Sequence, residues 1–153
     1  MISVIIPCKS RRDLCPELLP ALNSQTINPL EILIITDKIC PGGPAKKRDW
    51  GARLARGKIL AFIDSDAYPD KSWLKQAKKY LQPANISAVC GPGLTPLTDT
   101  SRQQISGLVW STWLGAGPYA YRNCQKKSRL VDDYPTFNFL IKKTAFQKLG
   151  GFN

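Results

Sequence analysis

The sequence predicts a single α/β domain built on a mostly parallel sheet that is flanked by helices. Along residues 1–93, short apolar runs typical of buried strands alternate with amphipathic helical segments, which is the order of repeated βαβ units. The chain has 153 residues, a length that suits one domain with its own core. Its 43% hydrophobic and 22% charged residues are typical of a globular protein rather than a disordered or fibrous one.

The first half of the chain supplies most of the predicted sheet. Strands are predicted at residues 2–6, 31–36, 59–63 and 86–90, where apolar and β-branched residues dominate. Helices are predicted between them at residues 14–25, 45–55 and 72–81. Pro7 ends the first strand because proline cannot donate to a sheet ladder. Each strand–helix–strand passage favours parallel pairing through a right-handed crossover.

Residues 94–134 differ in kind from the preceding segments. Apolar and aromatic residues crowd a predicted helix at 105–114, and a basic run follows at 121–129. We expect most of this aromatic surface to pack into the core, and the alternative is contact with an anionic membrane surface. The chain then returns to a predicted strand at 137–141 and a helix at 143–149, which Gly150 and Gly151 end.

The charge balance favours anionic partners. Twenty-two Lys and Arg against eleven Asp and Glu give a formal net charge of +11. Nucleotide phosphates, acidic lipid headgroups and nucleic acid would all be attracted by such a surface. We predict no nucleic-acid partner, because the basic residues are scattered and no helix–turn–helix, RNP or zinc pattern is present.

The cysteine and histidine content limits the chemistry. Five scattered cysteines and no histidine argue against a zinc site and against a disulfide framework. Reduced thiols predict a cytoplasmic location, and we extend this prediction to peripheral contact at the inner face of a membrane. Neither a signal peptide nor an apolar stretch of about 20 residues is present. Without histidine, acid–base work falls to carboxylates, Lys, Tyr or Cys.

A pair of carboxylates follows the strand at 59–63. On an extended backbone, residues i and i+2 point to the same side, so Asp64 and Asp66 are predicted to stand roughly 6–7 Å apart. A hard divalent cation that also holds phosphate oxygens fits such a pair. The alternative is that Asp66, Asp70 or Ser72 simply caps the helix that follows.

Several polar residues are predicted to meet at one edge of the sheet. Pro7 and Lys9 end the first strand, Asp37 ends the second, and the aspartate pair ends the third, with Arg48 at a nearby helix start. Asp37 can accept a hydrogen bond from a base N–H, the aspartate pair can hold a ribose and a cation, and Arg48 can bind phosphate. The combination predicts a nucleotide-diphosphate site.

These segments resemble the family-2 glycosyltransferases of the GT-A fold. The resemblance lies in SVIIPCKS, EILIITDK, GPAKKRDWGARLARGKILAFIDSDAYPDKSWL and PTFNFLIKKTAFQKLGGFN, in the family's order. It implies transfer of a sugar, with inversion, from a UDP- or GDP-sugar to a glycan or lipid-linked acceptor, with Mg²⁺ or Mn²⁺ as cofactor. It also implies a single GT-A domain over 1–153, with a nucleotide-binding half at 1–93 and the start of the acceptor-side half at 94–153.

The resemblance assigns roles to nucleotide-binding residues. Pro7 and Lys9 match positions that line the nucleotide pocket, and Asp37 matches the acidic residue that reads the base. Arg48 matches the basic residue of the family's Ala-Arg-Asn stretch, although Lys47-Arg48-Asp49 stands here in its place.

The resemblance also implies a metal ligand and a residue near the sugar. Asp64 and Asp66 match the first and last positions of the family's Asp-x-Asp motif, of which the last binds the metal. Asn138 matches an asparagine near the donor sugar and the acceptor.

The catalytic base is expected beyond Asn153. In the family it is a carboxylate that follows a Gly-Gly-Phe turn, and this sequence stops just after that turn. Asp132 and Asp133 are candidates by chemistry alone. We therefore expect this chain by itself to bind nucleotide and metal with little or no turnover, and a non-catalytic nucleotide-sugar or polymer-binding module of the same fold is the alternative.

Overall fold

A computed structural model describes residues 1–152 and is organised around one five-stranded sheet. The strands are β1 (Ile2–Pro7), β2 (Glu31–Ile35), β3 (Ile59–Ile63), β4 (Ala88–Cys90) and β5 (Asn138–Lys142). Their order across the sheet is β2-β1-β3-β5-β4. β1 pairs parallel with β2 and β3, whereas β5 runs antiparallel to both of its neighbours.

Six α-helices accompany the sheet within residues 1–152. They are α1 (Leu18–Asn23), α2 (Pro44–Leu54), α3 (Trp73–Tyr80), α4 (Ser101–Trp110), α5 (Trp113–Ala116) and α6 (Lys143–Leu149). The predicted helix at 14–25 is too long, since α1 has only six residues. The backbone N–H of Cys15 bonds to the Ser65 carbonyl instead of continuing a helix, which explains the late start of α1.

The position of β5 differs from a simple parallel continuation of the sheet. The strand at 86–90 is predicted to extend a parallel sheet, but β5 lies between β3 and β4. Ile63 is opposite Asn138 at one end of the β3–β5 ladder, and Ile59 is opposite Lys142 at the other. Since β4 is antiparallel to β5, it keeps the direction of β1, β2 and β3, and the sheet remains mostly parallel.

Both faces of the sheet are covered by apolar residues. Alternate residues of β1 enter different clusters, with Val4 and Ile6 on one side and Ile5 on the other. The first cluster includes Leu18 of α1, and the second includes Phe146 of α6. This double burial explains why the strands read as continuous apolar runs in the sequence.

A close approach at Gly51 sets the position of α2. A Cβ atom at Gly51 would lie 2.5 Å from Ile5 Cγ2, so only glycine allows the helix backbone to pack this closely on β1. Gly43 precedes the helix, and Pro44 occupies its first turn, where the missing N–H costs nothing. The opening turn of α2 is thereby placed beside the ends of the strands.

The chain divides into two compact units. One comprises Met1–Cys90 and the segment from Thr136 onward, and holds the whole sheet. The other is Gly91–Pro135 and contains α4 and α5. The assignment of nucleotide-binding and acceptor-side roles to 1–93 and 94–153 remains a prediction.

The expected core packing of the aromatic surface at 105–114 is wrong. Among the apolar side chains there, Trp113 is 75% exposed and Leu114 is 92% exposed. None of the residues of α4 is buried, and a Cβ atom at Gly107 would collide with the Thr95 side chain. Helical spacing identified the apolar face but could not indicate what covers it. None of the helices within residues 1–152 combines the length and apolar character that a membrane crossing needs.

Candidate functional site

The predicted site residues of the sheet unit come together at one edge, which we call the carboxyl edge. It comprises the ends of β1, β2 and β3 and, because β5 is antiparallel, the start of β5 at Asn138. Pro7 is opposite Ile35 at the end of the β1–β2 ladder. Just beyond it, the backbone N–H of Asp37 donates to the Lys9 carbonyl at 3.0 Å.

A buried lysine holds the Asp37 side chain. Lys47 Nζ lies 2.6 Å from Asp37 Oδ1 and also donates to the Gly42 carbonyl at 2.5 Å. The Lys47 side chain is only 4% exposed, whereas that of Asp37 is 48% exposed. Sequence reasoning placed Lys47 only in a basic helix start and gave it no role, although its position directly before Arg48 on α2 was the available signal.

A second buried cation pairs with Asp64. Arg48 is 8% exposed, and its Nη2 donates to Asp64 Oδ1 at 2.5 Å. Its guanidinium carbon also lies 5.9 Å from the centre of the Phe152 ring. Arg48 Nε is buried and has no hydrogen-bond partner within residues 1–152. Arg48 therefore offsets the Asp64 charge. The repulsion between Asp64 and Asp66 is reduced by this pair even without a metal ion.

The segment that carries the aspartate pair is a turn, not an extended strand end. The N–H of Ala67 bonds to the Asp64 carbonyl at 3.3 Å, so the extended geometry predicted for Asp64 and Asp66 is wrong. Two bonds from Cys15 hold this turn. Its N–H donates to the Ser65 carbonyl at 2.8 Å, and its thiol contacts the Ala67 carbonyl at 3.6 Å.

The helix-cap alternative for Asp66 finds no support. Asp70, not Asp66, accepts hydrogen bonds at the start of α3, from the Ser72 hydroxyl at 2.7 Å and the Ser72 N–H at 2.8 Å. These two bonds lower the pKa of Asp70. Asp66 is exposed, and its carboxylate forms no hydrogen bond or ion pair with any other residue of 1–152. It is therefore the carboxylate of the turn that is available to a ligand.

Asn138 is partly committed to the fold. Trp73 Nε1 donates to Asn138 Oδ1 at 2.7 Å, which joins α3 to the start of β5. The amide N–H groups of Asn138 remain its donors for a ligand.

The candidates for the catalytic base lie outside the sheet unit. Asp133 belongs to the unit Gly91–Pro135, where its Oδ2 accepts from Arg122 Nη2 at 2.7 Å, and Asp132 belongs to the same unit. The base that the family resemblance places beyond Asn153 lies outside the described residues, as does Asn153 itself.

The donor set at the carboxyl edge fits a hard divalent cation only in combination with a ligand. Over residues 1–152 there is no group of three or more His, Cys, Asp or Glu side chains that could hold a metal ion. Two carboxylates such as Asp64 and Asp66 are nevertheless enough for Mg²⁺ or Mn²⁺ when phosphate oxygens and waters complete the coordination.

Comparison with known proteins identifies the family. The family model described as Glycosyl transferase family 2 matches residues 40–150 of this chain. No curated protein sequence matches it. The family resemblance that we drew from the sequence is therefore confirmed.

Solved structures share the fold at low sequence identity. TarS 1-349 of S. aureus in complex with UDP-GlcNAc is 17% identical to this chain, with a TM-score of 0.63. The match covers 99% of this chain and 48% of the TarS chain. The mannosyltransferase PcManGT of Pyrobaculum calidifontis, in complex with GDP-Man and Mn²⁺, is 15% identical to this chain, with a TM-score of 0.59. The match covers 99% of this chain and 47% of the PcManGT chain. The predicted α/β fold of GT-A type is confirmed, and the chain spans about half the length of these proteins.

Proposed function

The chain belongs to glycosyltransferase family 2, and from this premise we propose that its carboxyl edge binds a nucleotide-diphosphate sugar together with a divalent cation. The observation that carries the proposal is the state of Asp66. It is an exposed and unengaged carboxylate beside a buried Arg48–Asp64 pair, at the edge where open α/β sheets place their ligands.

Each residue of the edge has a proposed role in donor binding. Asp37 accepts a hydrogen bond from the base, while Pro7 and Lys9 line the nucleotide pocket. Arg48, whose Nε is without a partner in the described part of the chain, contributes positive charge toward the diphosphate. Asn138 uses its free amide donors toward the donor sugar or the acceptor.

Asp66, with Asp64, would hold Mg²⁺ or Mn²⁺. When bound, such an ion neutralises negative charge on the leaving diphosphate. The Mn²⁺ that accompanies GDP-Man in the PcManGT complex supports this choice of metal. The bond from Arg48 holds the Asp64 side chain in position for this role.

The proposed reaction is sugar transfer with inversion to a hydroxyl of a glycan or lipid-linked acceptor. The acceptor oxygen attacks the anomeric carbon as the bond to the diphosphate breaks, and a carboxylate takes the hydroxyl proton. None of the carboxylates at the carboxyl edge is assigned the role of this base. Binding of donor nucleotide and metal is therefore the property by which the described residues are best tested.

Replacing Asp66 by Ala tests the donor site. We expect UDP or GDP to bind the wild-type chain in calorimetry with Mn²⁺, and to lose about tenfold or more in affinity in Asp66→Ala because a metal ion held there would lose a ligand. The dependence on Mn²⁺ should disappear with the carboxylate.

Asp70→Ala is the matched control, since it removes the same charge from the same loop. Asp70 is committed to Ser72, so this variant should keep its metal-dependent affinity even if α3 is destabilised. Nucleotide binding that ignores Mn²⁺, or that is equal in wild type and Asp66→Ala, would refute the proposed site.

We also propose a cytoplasmic location with peripheral contact to the inner face of a membrane. The five free cysteines support a reducing compartment. The exposed apolar side chains of α4 and α5, including Trp110, Trp113 and Leu114, support insertion at a lipid interface, and the net charge of +11 supports attraction to acidic headgroups.

Vesicle sedimentation tests the membrane contact. Leu114→Ser should weaken binding to vesicles that contain phosphatidylserine, because it removes apolar area that would enter the interface. Leu149→Ser, which changes a 74% exposed leucine in the sheet unit, is the control and should bind like wild type. Equal binding by both variants and wild type would exclude the proposed surface.

A further inference from the structure

We infer that Lys47 determines the base of the donor: by occupying one oxygen of Asp37, it selects uracil over guanine. This inference rests on the proposed donor site and extends it to a residue that the family resemblance does not assign. It makes Lys47 a positioning residue, which acts on the ligand through Asp37.

Lys47 fixes Asp37 from the interior. An ammonium group has three donors, and two of those of Lys47 are used, on Asp37 Oδ1 at 2.6 Å and on the Gly42 carbonyl at 2.5 Å. The Gly42 backbone has φ of 128°, a conformation that favours glycine. The carbonyl that accepts the hydrogen bond from Lys47 therefore belongs to a loop whose conformation depends on this glycine. The Asp37 backbone is fixed as well, through its N–H bond to the Lys9 carbonyl.

The pairing leaves Asp37 with one fully available oxygen. The Lys47 side chain is 4% exposed and the Asp37 side chain is 48% exposed, so the lysine approaches the carboxylate from its buried side. Oδ2 is then the oxygen left to accept from a ligand. An ionised carboxylate only accepts hydrogen bonds, so its partner on the base must be an N–H group.

The bases differ in what they offer to such an acceptor. Uracil has one imide N–H, between two carbonyls, which a single oxygen satisfies. Guanine has adjacent ring and amino N–H groups, which pair best with both oxygens of a carboxylate. Cytosine has a ring-nitrogen acceptor at the equivalent position, and facing it toward Asp37 would leave two acceptors in contact. The expected order of affinity is UDP, then GDP, then CDP.

Lys47→Met tests the inference by releasing Asp37 Oδ1. Calorimetry with UDP, GDP, CDP and inorganic pyrophosphate, each with Mn²⁺, should show wild type preferring UDP to GDP by about tenfold. In Lys47→Met both oxygens of Asp37 can meet guanine, so this ratio should fall toward one. The affinity for pyrophosphate, which lacks a base, should be unchanged.

The ratio separates specificity from structure. A merely structural Lys47 would weaken UDP and GDP equally, and an unchanged ratio would overturn the inference while leaving the donor site in place. Wild-type preference for GDP over UDP would overturn it also. Wild type that binds neither UDP nor GDP would instead refute the proposed function.

Asp37→Ala/Lys47→Met keeps the test decisive if Lys47→Met does not fold, because it removes both charges of the pair together and leaves no polar side chain at position 37. With no carboxylate to read the base, we expect UDP and GDP to bind with equal affinity. A UDP preference that survives in the double variant would overturn the inference.

Discussion

At the scale of single residues, the carboxylate Glu31 shows how the fold fixes a charge at the beginning of β2. Its Oε1 accepts from the Ser3 hydroxyl at 2.6 Å and from the Arg56 N–H at 2.6 Å, and its Oε2 pairs with Arg56 Nε at 3.0 Å. Ser3 is fully buried and also accepts from the Gly57 N–H. The bond from Ser3 contributes most to lowering the pKa of Glu31, and the bonds from Arg56 add to it.

The lowered pKa makes part of the stability dependent on pH. A carboxyl whose pKa is lower in the folded state stabilises the fold above its unfolded pKa, which is near 4.5, and loses that contribution as pH falls through the folded value. Glu31→Gln should therefore lower the free energy of unfolding at pH 7 by about 1 kcal/mol. It should also flatten the loss of stability below about pH 4.5.

Urea unfolding of both proteins at neutral and acidic pH measures this difference. Glu17→Gln, at an exposed position, is the control and should follow wild type throughout. If the free energy of unfolding changes equally with pH in wild type and Glu31→Gln, the assigned role of Glu31 is contradicted.

At the scale of elements, the contact between α2 and β1 is the one most sensitive to size. Gly51→Ala would place a methyl group 2.5 Å from Ile5 Cγ2 and 3.2 Å from Ile35 Cγ1, both in the core. We expect it to lower the free energy of unfolding by about 1–3 kcal/mol, as overpacking does. Because α2 carries Lys47 and Arg48, nucleotide affinity should fall with it.

Gly43→Ala is the matched control for this helix. Gly43 has φ of −66°, and a Cβ there would meet nothing within 4 Å. The two variants can be compared by thermal unfolding and UDP calorimetry. Equal melting temperatures for Gly51→Ala and Gly43→Ala would show that α2 can move away from β1 without cost.

The elements also show what sequence patterns can and cannot specify. The strands β1, β2 and β3 were predictable because burial on both faces leaves a continuous apolar run, and the helices α2 and α3 because burial of one stripe leaves a helical period. The partner of β4 and the turn at 64–67 were not, because they depend on which distant backbone groups meet.

The candidate site divides in the same way. The alignment of Asp37, Asp64 and Asp66 along one edge follows from parallel strand ends, which local patterns indicate. The buried pairing of Lys47 with Asp37 and of Arg48 with Asp64 depends on how closely α2 packs on the sheet. The sequence therefore showed the carboxylates but not which of their oxygens are taken.

At the scale of the whole molecule, the buried pairs change the electrostatic character of the carboxyl edge. Three carboxylates at one edge would repel a diphosphate, but Lys47 and Arg48 offset two of them. The remaining surface has a large excess of Lys and Arg, which contributes to the formal charge of +11. The long-range field therefore attracts an anionic nucleotide, while the local charge at Asp66 stays available for a cation.

The order of strands across the sheet also has a consequence for the order in which the protein can fold. β5 separates β3 from β4 in space, yet it follows both in the chain by more than forty residues. During synthesis, β1, β2 and β3 can assemble first, while one side of β3 and one side of β4 wait for Asn138–Lys142 to emerge. Until that strand inserts, the nascent sheet exposes the unpaired, apolar edge of β3. During this interval the edge can pair with strands of other chains, so we expect the tendency to aggregate to be highest then.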